Sequence, residues 1–182
     1  MIYLISLSSN VASARLDPND VISQALWLFS GQQLFQRATS RVYRAPTIPE
    51  GSGPDYLTAV AVIETECTLA QVQDRLAVIE AAVGDKGPGN EGARVLHLEL
   101  IAPWPASARE ALKLRHVSLG SQILEDLPAR ADVLVPLNEV APDWVHPGLG
   151  LSVQDLVAAL PTQARKRVED FIPYDAARDV AE

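Results

Sequence analysis

His97 and Glu99 stand two apart in an apolar, strand-like run, Arg94-Val95-Leu96-His97-Leu98-Glu99-Leu100-Ile101. Side chains in a strand alternate with period two, so the imidazole and the carboxylate share one face while Leu96, Leu98 and Leu100 take the other. Such a pair offers a cation one nitrogen donor and one carboxylate. Imidazole suits Zn²⁺, Mn²⁺ or Fe²⁺ better than Mg²⁺, which prefers hard oxygen ligands. The same spacing equally serves a half-exposed polar pair that holds no ligand. Arg94 and Arg130 carry planar guanidinium forks of the kind that grip phosphate, or else sit as surface charges. The stretch 85–92, with Gly87, Pro88, Gly89 and Gly92, reads as a long loop. Its charges are Lys86 against Asp85 and Glu91, a net −1 that repels a polyanion.

The elements that must position these groups alternate regularly. Residues 2–7 are rich in β-formers and run into the turn cluster Ser8-Ser9-Asn10. Asp17-Pro18-Asn19-Asp20 is a helix-start signal, and the stripe Val21, Ile22, Ala25, Leu26, Leu28, Phe29 predicts a helix ending at Gly31, with Trp27 in the core. Residues 33–43 read as a strand leading to Tyr43-Arg44-Ala45-Pro46, with a Pro- and Gly-rich loop after it. Residues 56–66 read as a second strand. Thr68 and Gln71 form a capping box for a helix whose apolar face runs from Leu69 through Val72, Leu76 and Ile79 to Val83, ending at Gly84. Residues 94–101 are a strand, and Ser107 with Glu110 makes a capping box for a short helix. Residues 115–130 are irregular. Ser152 caps a helix to about Leu160, and Thr162 caps a last one. The order β-α-β, β-α-β predicts an α+β, ferredoxin-like sandwich: an antiparallel sheet with helices packed on it, plus extra C-terminal helices. Residues 1–160 form the domain and 161–182 a helical or partly disordered tail. Within the tail, Arg165-Lys166-Arg167 reads as a solvated helix face; within the domain, His146 near Trp144 reads as structural.

Composition narrows the function. A formal charge of −8 argues against nucleic acid and against an anionic membrane surface, because both need a basic face. Cys67 is the only cysteine, so neither an intrachain disulfide nor a cysteine-based zinc site can form. The N-terminus has no positive n-region and reads as a strand, which points to the cytoplasm.

Five stretches, in order, resemble the hydroxymethyldihydropterin pyrophosphokinase (HPPK, FolK) family of folate biosynthesis. They are Ile5-Ser6-Leu7-Ser8-Ser9-Asn10; Ser40-Arg41-Val42-Tyr43-Arg44-Ala45-Pro46; Pro54-Asp55-Tyr56-Leu57-Thr58-Ala59-Val60; Ile79-Glu80 with Arg94 to Glu99; and Arg130 to Pro142, containing Pro136-Leu137-Asn138-Glu139-Val140-Ala141-Pro142. The resemblance implies transfer of pyrophosphate from ATP to 6-hydroxymethyl-7,8-dihydropterin, with Mg²⁺ as cofactor. It implies that Arg94 and Arg130 are catalytic, and that Glu80, Arg94, His116 and Arg130 bind ATP. Ala45, Pro46, Tyr56 and Thr58 would bind the pterin, and His97 and Glu99 the metal.

The chain departs from the family pattern at the chemistry. His97 and Glu99 stand where the family has two Asp, so Mg²⁺ is held weakly or replaced by Mn²⁺. Thr58 stands for an amide-bearing Asn, Asp132 for a stacking Phe, and Asp85 for a lid arginine. Ser8 stands for a Gly, a strained exchange if that position has positive φ. These changes imply a divergent member with weakened or lost activity. The alternative is an inactive binding or regulatory pseudoenzyme. A third reading is a scaffold whose residues 102–129 or 161–182 dock a protein partner.

Overall fold

The computed structural model describes residues 1–13, 16–47, 51, 53–84, 94–104, 124 and 126–171. Its elements are β1 (Ile2–Ser9), α1 (Pro18–Gly31), β2 (Phe35–Thr39), β3 (Tyr43–Ala45), β4 (Tyr56–Glu64), α2 (Leu69–Val83), β5 (His97–Trp104), a 3₁₀ turn (Leu127–Ala129), α3 (Ala131–Val140), α4 (Val153–Ala159), α5 (Thr162–Lys166) and β6 (Glu169–Asp170). The sheet runs β5-β1-β4, with β2 and β3 both on the far side of β4 and β6 outside β3, all pairs antiparallel. With β2 and β3 taken as one broken strand, this is the β-α-β, β-α-β sandwich that the order predicts, and the C-terminal helices are present.

The break in the predicted strand 33–43 has a local cause. Ser40 donates its N–H to the Val60 carbonyl, and its Oγ accepts the Val60 N–H, both at 2.9 Å. A side chain thus replaces one rung of the ladder, and the backbone leaves the strand until Tyr43. β5 begins at His97, later than the expected 94, and carries a bulge at Ile101, since Ile5 pairs with Leu100 and Leu4 with Ala102.

Alternation along the central strands builds two cores. Tyr3, Ile5 and Leu7 face α1 and α2 with Phe29, Val72, Leu76 and Ile79. Leu4, Val60, Val62 and Ile101 face α3 and α4 with Leu134, Leu137, Trp144 and Leu156. Asp17 caps α1 by accepting the Asp20 N–H, and the capping boxes at Thr68/Gln71 and Ser152/Asp155 are both formed. Thr162 does not cap α5, whose N-cap is Pro161. The expected box at Ser107 and Glu110 lies outside the described residues.

Two further expectations are corrected. Trp27 is 75% exposed. It sits two residues from both Ala25 and Phe29, and helix positions two apart point to different sides. Ser8 is in regular β1, paired with Thr58 and His97. Gln33 is the only non-glycine with positive φ among the described residues, so Ser8 carries no such strain.

α3 contains Pro136. A proline there has no N–H for the carbonyl four residues back, that of Asp132. The Thr58 hydroxyl, from β4, donates to that carbonyl at 3.3 Å and fills the vacancy. Thr58 is 2% exposed, so a sheet residue stabilises a helix that its own sequence weakens.

His146 is structural, as expected. Its Nδ1 accepts the N–H groups of Gly148 and Leu149, and its ring lies edge-on to Trp144.

β6 closes the outer edge of the sheet. Tyr43 pairs with Asp170, Phe171 donates its N–H to the Val42 carbonyl at 2.9 Å, and the Arg44 guanidinium lies 5.5 Å from the Phe171 ring centre. Beside them the buried Tyr43 hydroxyl donates to Glu139 at 2.8 Å and accepts from Arg41 at 3.1 Å. Burial first, then the hydrogen bond to Glu139, push the Tyr43 phenol up to about 12 from 10.0. A folded-state value above the unfolded one gives stability that is complete below pH 10 and is lost as pH rises toward about 12. In a near-ultraviolet titration one of the four tyrosines should therefore ionise late. Tyr43→Phe should remove both that step and the associated loss of stability at high pH.

Candidate active site

A cavity of about 280 Å³ opens where β1 ends, β4 and β5 begin and α3 starts. Register explains its composition. Ser8 lies opposite both Thr58 and His97, and Ser6 lies opposite Glu99, so the outward-turned residues of three strands converge. His97, Glu99, Tyr56 and Ser8 line the strand side. Arg130, Asp132 and Asp126 line the helix side, with Pro46 and Arg94 at the ends.

Arg94 is anchored through its backbone: its N–H donates to Asn10 Oδ1 at 2.8 Å, and its carbonyl accepts the Asn10 N–H at 3.1 Å. Its Nη1 lies 3.0 Å from His97 Nδ1, which also lies 3.2 Å from Glu80 Oε1. A single ring nitrogen either accepts from Arg94 or donates to Glu80, not both. Nδ1 is held by the protein either way; Nε2 carries the hydrogen when Nδ1 accepts from Arg94 and offers a lone pair when Nδ1 donates to Glu80. Glu80 also accepts the Leu98 N–H at 2.6 Å. Burial raises the Glu80 carboxyl, but His97, the Leu98 amide and the Arg94 charge outweigh it and hold the group below its usual range.

On the helix side, Arg130 is gripped by acids. Its Nε donates to both carboxylate oxygens of Asp132 at 2.9 and 3.0 Å, and Nη2 donates to Oδ2 at 2.7 Å. Its Nη1 lies 3.7 Å from Glu99 and 3.6 Å from Asp126. The Arg130 and Asp132 side chains are 25% and 22% exposed, so water screens this clasp only partly. Two arginines therefore face four carboxylates: Glu80, Glu99, Asp126 and Asp132.

The pattern of the family described as 7,8-dihydro-6-hydroxymethylpterin-pyrophosphokinase (HPPK) matches residues 4–142, which include every residue lining this cavity. The chain belongs to the HPPK family. It is 33% identical over 133 residues to the 2-amino-4-hydroxy-6-hydroxymethyldihydropteridine pyrophosphokinase of Methylorubrum extorquens, covering 72% of this chain and 78% of that relative. It is 27% identical over 165 residues to the enzyme of the same name from Pseudomonas aeruginosa, covering 90% and 94%. A crystal structure of HPPK-DHPS in complex with substrates superposes with a TM-score of 0.57 at 10% identity, covering 85% of this chain. That likeness concerns the fold alone, and this chain spans only 42% of the HPPK-DHPS chain.

Within this HPPK-family chain, six of the residues expected from sequence meet in one cavity: Pro46, Tyr56, Arg94, His97, Glu99 and Arg130. Glu80 stands behind His97, and Ala45 lines a neighbouring cavity. Thr58 is buried under α3, its hydroxyl occupied by the Asp132 carbonyl. His116, Asp85 and the loop 85–92 lie outside the described residues. Sequence reasoning missed Asp126 and the attachment of Asp132 to Arg130. No spacing rule pointed to Asp126, because residues 115–130 read as irregular and, among the described residues, the structure holds only a 3₁₀ turn there.

The donors fit Mg²⁺ poorly. His97 offers one imidazole nitrogen, and Glu99 faces the Arg130 cation at 3.7 Å. Mg²⁺ asks for near-octahedral oxygen donors.

Proposed function

We propose that this chain is a divergent HPPK-family protein that keeps a place for a hydroxymethylpterin but transfers pyrophosphate from ATP far more slowly than a member with two strand aspartates. The clasp of Arg130 by Asp132, with Glu99 and Asp126 alongside, carries this reading. Phosphoryl-type transfer is accelerated by cationic donors aimed at developing charge. A guanidinium already neutralised by its own fold is a weak donor, and removal of one such donor costs about 10²–10³ in rate. The expected partners are small molecules, a pterin and ATP, acting in the cytoplasm, with Mn²⁺ supporting any residual turnover better than Mg²⁺.

The test is AMP release from ATP and 6-hydroxymethyl-7,8-dihydropterin in Mg²⁺ or Mn²⁺, beside the Pseudomonas aeruginosa relative. A rate at least about a hundredfold below that relative is expected; an equal rate in Mg²⁺ would remove the proposal. Complete absence of AMP with pterin binding retained would select the second reading, a binding or regulatory pseudoenzyme. That reading is favoured by the clasp of Arg130, which occupies a phosphate donor while Pro46 and Tyr56 still line the cavity.

A further inference from the structure

Asp132 has two polar ends, and the fold puts them to separate use. Its carboxylate takes three hydrogen bonds from Arg130 at 2.7–3.0 Å. Its carbonyl meets Pro136 one turn along α3, and a proline has no N–H to give. The Thr58 hydroxyl supplies the donor instead, at 3.3 Å. Thr58 is buried in β4, paired with Ser8 of β1 on one side and Tyr43 of β3 on the other. It is a fixed point inside the sheet, against which the first turn of α3 is pinned.

We infer that Thr58 is a positioning residue for Arg130, acting through Asp132: its hydroxyl decides whether the guanidinium stays clasped or turns toward a phosphate. This deepens the proposed function and rests on it, because a clasped arginine matters only where a phosphate would meet it. The carbonyl and carboxylate of Asp132 are joined through one Cα and one Cβ, so a bond that holds the first limits the travel of the second. With an ordinary residue at 136, the helix's own N–H would hold that carbonyl, and a hydroxyl at 58 would be redundant. Pro136 makes the hydroxyl necessary. The bond is partly buried, so water replaces a lost donor only incompletely. Thr58, Asp132 and Pro136 thus work as one unit, although Thr58 and Asp132 lie 74 residues apart in sequence.

The test is hydrogen exchange at Arg130 Nε, followed by proton–nitrogen NMR and identified by the signal lost in Arg130→Lys. An N–H held by a carboxylate exchanges when the clasp opens, so the rate reads the clasp without any nucleotide. Thr58→Val keeps the shape, removes the donor, and should speed exchange at least about threefold. Thr58→Ser keeps the hydroxyl and should stay within about twofold of the unmodified protein. Pro136→Ala returns a backbone N–H to the Asp132 carbonyl, so Thr58→Val combined with Pro136→Ala should exchange as slowly as the unmodified protein. A role for Thr58 in packing alone would leave that double variant fast. Slow exchange in folded Thr58→Val, or fast exchange in the double variant, overturns the inference and leaves the proposed function standing. If circular dichroism shows that Thr58→Val fails to fold alone, the double variant decides by the same criterion. An AMP rate equal to that of the Pseudomonas aeruginosa relative would remove the proposed function whatever the exchange rates show.

Discussion

Asp132→Asn should tighten ATP binding by roughly ten- to a hundredfold, measured by calorimetric titration against the unmodified protein. Asp132 holds Arg130 through three charged hydrogen bonds at 2.7–3.0 Å. Hydrogen bonds to charged groups are worth about 1.5–3 kcal/mol, and each 1.4 kcal/mol is about tenfold in affinity. An amide carries no charge to match the guanidinium, so the fork becomes available to a phosphate. Arg130 is not orphaned by the change, because Glu99 and Asp126 remain within 4 Å. The variant should therefore fold with little loss of stability. Unchanged or weaker ATP binding would mean that the clasp does not set the phosphate affinity.

The double variant His97→Asp with Glu99→Asp should raise Mg²⁺-dependent AMP formation by about 10²-fold or more. It presents two short carboxylates on one strand face in place of an imidazole and a longer acid. Glu80 keeps the Leu98 amide and is not left unpaired. Because both substituted positions contact the arginines, the effect should not add simply to that of Asp132→Asn, and the triple variant completes the cycle. An increase with Mn²⁺ but none with Mg²⁺ would locate the defect elsewhere than in the strand pair.

Most of the scaffold was legible because its signals are local. The Thr68/Gln71 box, the Asp17 cap and the glycines at 31 and 84 mark helix ends through hydrogen bonds within a few residues. Alternation along residues 94–100 placed His97 and Glu99 on one face, and both do line one cavity. Trp27 was misread because a stripe was counted by residue type and not by angle around the helix. α3 escaped because Pro136 inside an apolar run reads as a break. The compensation comes from Thr58, 74 residues away in sequence, so no local pattern reports it. The site is legible in its parts but not in its state. Sequence singles out Arg130, Glu99 and Asp132, yet only the folded chain shows that the guanidinium is already engaged.

The clasped arginine and the His–Glu pair on the strand should together leave a magnesium-bound triphosphate only weakly held in this cavity. Titrating a non-hydrolysable ATP analogue with Mg²⁺ into the unmodified protein tests it directly by calorimetry. No saturation is expected below millimolar concentration. Stoichiometric binding in the micromolar range would contradict it.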